Sequence, residues 1–288
     1  MKFEPAELAG WLPRLLEIAD AAGRQIMSIY ATAFDVTYKS DRSPLTAADL
    51  ASQRVIGDGL AALTPGISML AEESASEVFS QRRGWPALWL VDPLDGTREF
   101  VKRNGEFTVN IGLVENGEAV LGLVYAPARA VAYYAARGVG AFRRSADGTR
   151  TSIRTPATPA AAPSTALRVL ASRSHGDAVL DRMLERLGAV ERISVGSALK
   201  FGLLAEGGAD LYVRRGATSE WDTAAGQVIV QEAGGCVLDF AGRPLRYNAR
   251  DTLVNPSFIA CADRSRDWSA LLGTGTGTVA PDAAPTGK

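Results

Sequence analysis

A layered α/β fold is what this sequence predicts, on three observations. Short apolar runs of strand length crowd residues 67–136, helix-like and strand-like segments alternate beyond residue 167, and 47% of the 288 residues are hydrophobic, enough for a sizeable core. Taken in order, Leu8, Trp11, Leu12, Leu15, Ile18, Ala19, Ala22, Ile26 and Ile29 recur at helical spacing and predict a long amphipathic helix. A second helix opens at Thr46 and runs to about Leu63. The runs ISMLA (67–71), ALWLV (87–91), FTVNIGLV (107–114), AVLGLVYA (119–126) and AVAYYAA (130–136) read as strands, with Glu115-Asn116-Gly117-Glu118 as a hairpin turn. Residues 143–165 are polar and then rich in Ala, Pro, Thr and Arg, which predicts an edge loop and a boundary between halves 1–160 and 161–271. Beyond it come LRVLAS, a helix over 177–187, a strand over 189–195, a helix over 197–206, DLYV, a helix from Trp221 to Ala233, CVLDF and SFIACA. Residues 272–288 hold little to bury and are expected to be disordered.

Composition excludes several kinds of chemistry. Lys and Arg total 31 against 32 Asp and Glu, so the basic excess of a nucleic-acid binder is missing. Acids, prolines and glycines break the apolar pattern of the first 23 residues, unlike a secretion signal, and no run of 18 apolar residues suggests a membrane span. Cys236 and Cys261 lie in strand-like runs without CxxC spacing, as expected of reduced thiols in the cytoplasm. His175 is the only histidine, which leaves no His-rich zinc site, and the chain has no G-x-S-x-G elbow. The chemistry must therefore lean on carboxylates. GDGLAA (57–62) fits a dinucleotide-binding pattern by letter but falls inside a helical segment, and GTGTG (273–277) precedes no helix.

The acids sit at the ends of separate elements. Asp92 closes ALWLV, and Pro93 is expected to end the regular ladder there, releasing the carboxylate from the sheet. Asp95 follows after one short turn, and Gly96 and Thr97 open a short helix with outward N–H groups suited to a phosphate. Glu72 and Glu73 close ISMLA, Asp222 begins WDTAAGQVIV, and Asp49 lies in the first turn of the helix after Thr46. Helix capping alone accounts for Asp49 and Asp222 one at a time. Five or six acids brought together repel one another unless a cation sits among them, and hard oxygen donors without a His or Cys cluster favour Mg²⁺.

AEES (71–74), WLVDPLDGTREF (89–100) and WDTAAG (221–226) followed by EAGG (232–235) resemble the signature blocks of the lithium-sensitive, Mg²⁺-dependent phosphatases related to inositol monophosphatase. SPLTAADLAS, VKRNGEFTVNIGLV, VYAPAR, SRSH and VGSALKFGLLAEG are similar to the bacterial 3'(2'),5'-bisphosphate nucleotidase branch, and the resemblance spans roughly residues 5–262. It implies an α/β/α/β/α sandwich. It also implies two or three Mg²⁺ ions held by Glu72, Asp92, Asp95, Asp222 and the Leu94 carbonyl, with Glu73 in support. Gly96 and Thr97 would bind the scissile phosphate, and Thr97 with Asp49 would position the attacking water near Glu72.

Substrate choice is expected to follow from the other positions. Seven residues before Asp222, where the resemblance gives inositol monophosphatases a sugar-binding acid, this chain has Arg215, preceded by Arg214. Arginine favours a second phosphate that an acid would repel. Ser197, Lys200 and His175 match positions that touch nucleotide in the nucleotidases. The implied reaction is hydrolysis of adenosine 3',5'-bisphosphate, or its sulfated analogue, to the 5'-phosphate by metal-activated water. An inositol or sugar phosphatase is the alternative, followed by a non-catalytic nucleotide sensor. The sequence leaves monomer and homodimer open, and the resemblance allows a peripheral position at the cytoplasmic face of the inner membrane.

Overall fold

The structure, a computed structural model, describes residues 2–39, 44–74, 76–156, 166–171 and 178–273. His175, the 157–165 part of the expected boundary loop and the expected tail beyond 273 lie outside the described residues.

The chain begins with α1 (Pro5–Tyr30), whose buried face, from Leu8 through Leu15 to Ile26, follows the helical period. Two short strands, β1 (Thr37–Tyr38) and β2 (Pro44–Leu45), pair antiparallel before α2 (Ala47–Leu63). Then β3 (Ser68–Ala71), α3 (Ser76–Gln81), β4 (Ala87–Asp95), α4 (Thr97–Val101), β5 (Thr108–Glu115), β6 (Glu118–Ala126), β7 (Val131–Ala136), β8 (Gly140–Arg144) and β9 (Arg150–Ile153) complete the first half. Strands β3 to β9 form one seven-stranded sheet in sequence order; β3 and β4 are parallel, the rest antiparallel. The second half contributes β10 (Leu167–Ala171), α5 (Ala178–Glu185), β11 (Val190–Ser194), α6 (Leu199–Ala205), β12 (Leu211–Arg214), α7 (Glu220–Glu232), β13 (Cys236–Asp239), β14 (Phe258–Cys261) and α8 (Trp268–Leu271). Its sheet has the order β11-β10-β12-β14-β13.

Five layers result. Helices α1 and α2 cover one face of the first sheet, where Trp89 and Val91 of β4 join Leu15, Ile18 and Ile56. Helices α6 and α7 fill the space between the sheets, where Leu88 and Leu90 meet Phe201, Val228 and Ile229. Helices α5 and α8 cover the far face of the second sheet through Met183, Leu184 and Trp268. A strand buried on both faces needs an unbroken apolar run, which is why ALWLV shows no alternation.

Two expectations are corrected. The ladder does not end at Asp92: β4 continues to Asp95, with Asp92 opposite Asn110 and Asp95 opposite Thr108. Three steps along β4 thus face two along β5, a bulge that absorbs Pro93, which has no N–H to offer a ladder. Residues 143–165 are not loop throughout, since β8 and β9 pair as a hairpin at the sheet edge. Arg150, Thr151 and Ser152 of β9 are exposed, and a polar edge strand carries little hydrophobic signal. The short β1, β2, α3 and α8 were also not expected; each is too brief to show a period.

Helix α7 approaches the first sheet where two glycines, Gly112 and Gly122, are direct partners across β5 and β6. A Cβ on Gly122 would stand 2.3 Å from the Ala225 carbonyl oxygen, and one on Gly112 would stand 3.0 Å from the Ala225 nitrogen. This contact sets the depth at which α7 presents Asp222. Gly122→Val is therefore expected to overpack the interface by about 1–3 kcal/mol. The thermal midpoint should fall about 2–4 °C for each of those kcal/mol, measured by circular dichroism; an unchanged midpoint would refute this contact.

Candidate active site

Because β3 and β4 run parallel, their carboxyl ends open at the same edge, and the Glu72 N–H donates to the Val91 carbonyl at 3.1 Å. That places Glu72 beside Asp92. The bulge turns Asp95 toward the gap between the sheets, and the Ser52 hydroxyl fixes it by donating to the Pro93 carbonyl at 2.7 Å. Gly96, in the left-handed region at φ 84°, then starts α4 with Thr97. From the second half, the N-terminal turn of α7 supplies Asp222, the end of β12 supplies Arg214, and the turn before α6 supplies Ser197.

These elements enclose one cleft of about 500 Å³, lined by Glu72, Asp92, Leu94, Asp95, Gly96, Thr97, Ser197, Lys200, Arg214 and Asp222. The five residues expected to hold metal, together with Gly96, Thr97, Ser197, Lys200 and Arg214, therefore meet there, whereas Glu73 and Arg215 do not line it. Asp49 stands just behind, with its Oδ1 accepting from the Thr97 hydroxyl at 3.4 Å. The Leu94 carbonyl, 3.2 Å from the same hydroxyl, shares its single hydrogen with Asp49. Of the two arginines, Arg214 lines the cleft, whereas the Arg215 guanidinium reaches the Met183 sulfur at 3.9 Å on another side of the strand. Glu73 turns to Lys39, which also donates to Glu72 Oε1 at 2.6 Å. Lys200 is not on a solvated helix face. Only 6% exposed, its ammonium donates to the Val195 and Ser197 carbonyls at 3.1 and 2.7 Å and lies 5.3 Å from the Tyr212 ring centre.

Each acid is anchored by at least one protein donor. Asp92 Oδ1 accepts from the Leu94 N–H at 3.0 Å, and Asp222 Oδ2 from the Ser219 N–H at 2.8 Å. Asp95 Oδ2 accepts from the Ala198 N–H at 2.6 Å and from Asn110 at 3.3 Å. Asp49 Oδ2 closes the capping box with Thr46 at 2.8 Å, so this residue is at once a cap and a neighbour of Thr97. In Asp92, Asp95 and Asp222 the other carboxylate oxygen is then oriented without being consumed. Asn110, Lys39 and Ser52 had drawn no attention in the sequence; a lone asparagine inside FTVNIGLV was the one available signal.

Burial pushes the Asp92 carboxyl well above its ordinary range, helped by the charges of Glu72, Asp95 and Asp222. Asp222 is raised well above as well, by burial and then by Asp95. Glu72 and Asp95 are raised mainly by burial, against opposing help from Lys39 for the first and Lys200 for the second. Burial also lowers Lys200 to about 8. No three His, Cys, Asp or Glu side chains among the described residues lie close enough together, as placed, to chelate an ion. The donor set nevertheless fits a hard divalent cation: carboxylate oxygens and the Leu94 carbonyl, all facing one cleft, whose mutual repulsion such a cation would relieve.

This sandwich, with acids at the strand ends of one sheet and the helix start of the facing half, defines a phosphatase class: the chain belongs to the inositol monophosphatase family, whose profile matches residues 10–270. The chain is 46% identical over 249 residues to the 3'(2'),5'-bisphosphate nucleotidase CysQ of Escherichia coli O157:H7, covering 86% of this chain and 98% of that relative. Among solved structures it is similar to CysQ from Bacteroides thetaiotaomicron, at TM-score 0.72 and 39% identity over 87% of this chain and 96% of that one. An IMPase of Thermotoga maritima also aligns, at TM-score 0.72 and 28% identity over 89% and 94% of the two chains.

A carboxyl whose pKa is raised by folding stabilises the fold fully below its unfolded pKa and loses that contribution as pH rises through the folded value. Asp92→Asn keeps an acceptor for the Leu94 N–H and removes the charge. In chelator, its thermal midpoint should exceed that of the unmodified protein by a margin that grows as pH rises above the ordinary aspartate range, about pH 4. A flat or negative difference across that rise would show that the Asp92 charge is not strained.

Proposed function

We propose that this protein is a Mg²⁺-dependent 3'(2'),5'-bisphosphate nucleotidase that hydrolyses adenosine 3',5'-bisphosphate, and its 5'-phosphosulfate analogue, at the 3'-phosphate. The observation that carries the reading is the mixed charge of the cleft: carboxylates suited to cations share its lining with two cationic side chains, Arg214 and Lys200. A substrate with one phosphate to be cut and a second to be held matches that combination. The relatives named 3'(2'),5'-bisphosphate nucleotidase CysQ support it.

Glu72, Asp92, Asp95, Asp222 and the Leu94 carbonyl would hold two or three Mg²⁺ ions. When bound, the metal supplies a water of lowered pKa and neutralises charge on the ester and its leaving oxygen. Thr97 and Asp49 orient the attacking water, and Asp49 Oδ1 is the nearby site for its proton. The amides of Gly96 and Thr97 hold the scissile phosphate at the start of α4. Arg214 engages the second anion, and Ser197 and Lys200 border the nucleoside; the same role for His175 rests on the motif alone. No described helix is long and apolar enough to cross a membrane. We place the enzyme in the cytoplasm, with a free small-molecule substrate.

Activity is expected to vanish in chelator, return with Mg²⁺ and fall with Li⁺ or Ca²⁺. Steady-state kinetics on adenosine 3',5'-bisphosphate, inositol monophosphate and fructose bisphosphate should rank the nucleotide first by kcat/KM; a higher value for either sugar phosphate would move the protein to the inositol or sugar phosphatases. Full turnover in chelator would rule out the metal mechanism.

Arg214→Ala removes a charge-assisted contact of about 1.5–3 kcal/mol, roughly ten- to a hundredfold in kcat/KM on the bisphosphate. A monophosphate never made that contact, so its hydrolysis should change little. Equal losses on both substrates would reassign Arg214 to the fold.

A further inference from the structure

The turn Val195-Gly196-Ser197-Ala198 joins the two sides of the cleft. From it the Ala198 N–H reaches Asp95 at 2.6 Å, while Ser197 and, one turn of helix on, Lys200 line the wall proposed for the nucleotide. Such a turn cannot hold its own shape cheaply. Ser197 is in the left-handed region at φ 50°, which a residue with a Cβ adopts only when its surroundings impose it.

The Lys200 ammonium holds the carbonyls of Val195 and Ser197, and the amide side of the turn is held by an acid that the proposed reaction does not use. Glu106 is 7% exposed, and its Oε2 accepts from the Gly196 N–H at 2.9 Å. Its other oxygen, Oε1, accepts from Arg129 at 3.0 Å, and its own N–H donates to the Asn104 side chain at 2.9 Å. The approach is close on the backbone side too. A Cβ on Gly196 would stand 2.8 Å from the Glu106 carbonyl oxygen, and one on Gly96 would stand 3.1 Å from it. Glu106 therefore touches both loops of the site: the one that carries Asp95 and the one that donates to it.

We propose that Glu106, clamped by Arg129, is a positioning residue that fixes the 195–198 turn and so couples the orientation of Asp95 to the nucleotide-facing wall. The part concerning the nucleotide rests on the nucleotidase reading above; the part concerning Asp95 does not. Without the carboxylate the Gly196 N–H loses a charged acceptor, the turn relaxes out of its left-handed step, and the Ala198 N–H no longer holds Asp95. Substrate wall and cation site should then loosen together.

The test compares Glu106→Ala, Glu106→Gln and Arg129→Gln with the unmodified protein. Mn²⁺ binding, read from the free-ion electron paramagnetic resonance signal without substrate, is measured beside kcat, KM and the thermal midpoint. Loss of a hydrogen bond to a charged group predicts Mn²⁺ affinity about tenfold weaker in Glu106→Ala, with a rise in KM for adenosine 3',5'-bisphosphate that exceeds the rise for a simple monophosphate. Glu106→Gln retains a neutral acceptor and should recover part of both losses. Arg129→Gln, at a half-exposed position that carries little folding risk, should show the same pattern more weakly. Unchanged Mn²⁺ affinity in folded Glu106→Ala or Arg129→Gln, with only a lower thermal midpoint, would overturn the proposal. If the unmodified protein fails to hydrolyse the nucleotide, the nucleotidase reading falls, and the Mn²⁺ isotherms still decide whether Glu106 governs Asp95.

Discussion

Crowding of like charge in a buried cleft is the constraint on which the rest of this structure depends. Glu72, Asp92, Asp95 and Asp222 come from three separate elements, and burial, with added repulsion from neighbouring acids, raises every one of them. A chain free to relax would turn these side chains outward. Here three are tied by one oxygen to backbone amides that cannot follow them into water, those of Leu94, Ser219 and Ala198, and Glu72 is paired with the Lys39 ammonium. The architecture converts an unfavourable charge density into a binding site by spending hydrogen bonds on one oxygen of each pair.

The layers exist to hold those donors still. Strand β4, buried from Ala87 through Leu94, delivers Asp92 and Asp95 from the centre of the packed layers. Its bulge is the one irregularity, and Ser52 locks it from the α2 side. Helix α7 packs backbone to backbone on a glycine pair, so Asp222 is set by close contact and not by a flexible side chain. Function is placed on rigid elements, with adaptable turns left to the substrate side.

Opposite charges share the cleft. Its carboxylates suit a cation, and Arg214 beside them suits an anion. Lys200 illustrates how far burial alters a residue's role. On a solvated helix it would be a screened charge; here its ammonium is spent on two carbonyls of the turn it borders, and burial lowers its pKa to about 8.

Much of this was legible in the sequence because it is written in near-neighbour patterns. Helical period fixed α1 and α2, apolar runs fixed the central strands of both sheets, and the Thr46–Asp49 spacing announced the capping box that the structure contains. Acids at the ends of apolar runs announced the site. Tertiary structure alone decided the rest, for reasons of long-range geometry. A bulge is a mismatch between two strands, so Pro93 alone could not show whether β4 stops or continues. The strand β9 hid because an exposed edge needs no apolar face. Arg214 and Arg215 are chemically alike, and only the facing of β12 sends one into the cleft and the other to Met183. Glu106 and Gly196 stand 90 residues apart in the chain; no local pattern can encode a contact that exists only once two sheets have been packed around one cleft.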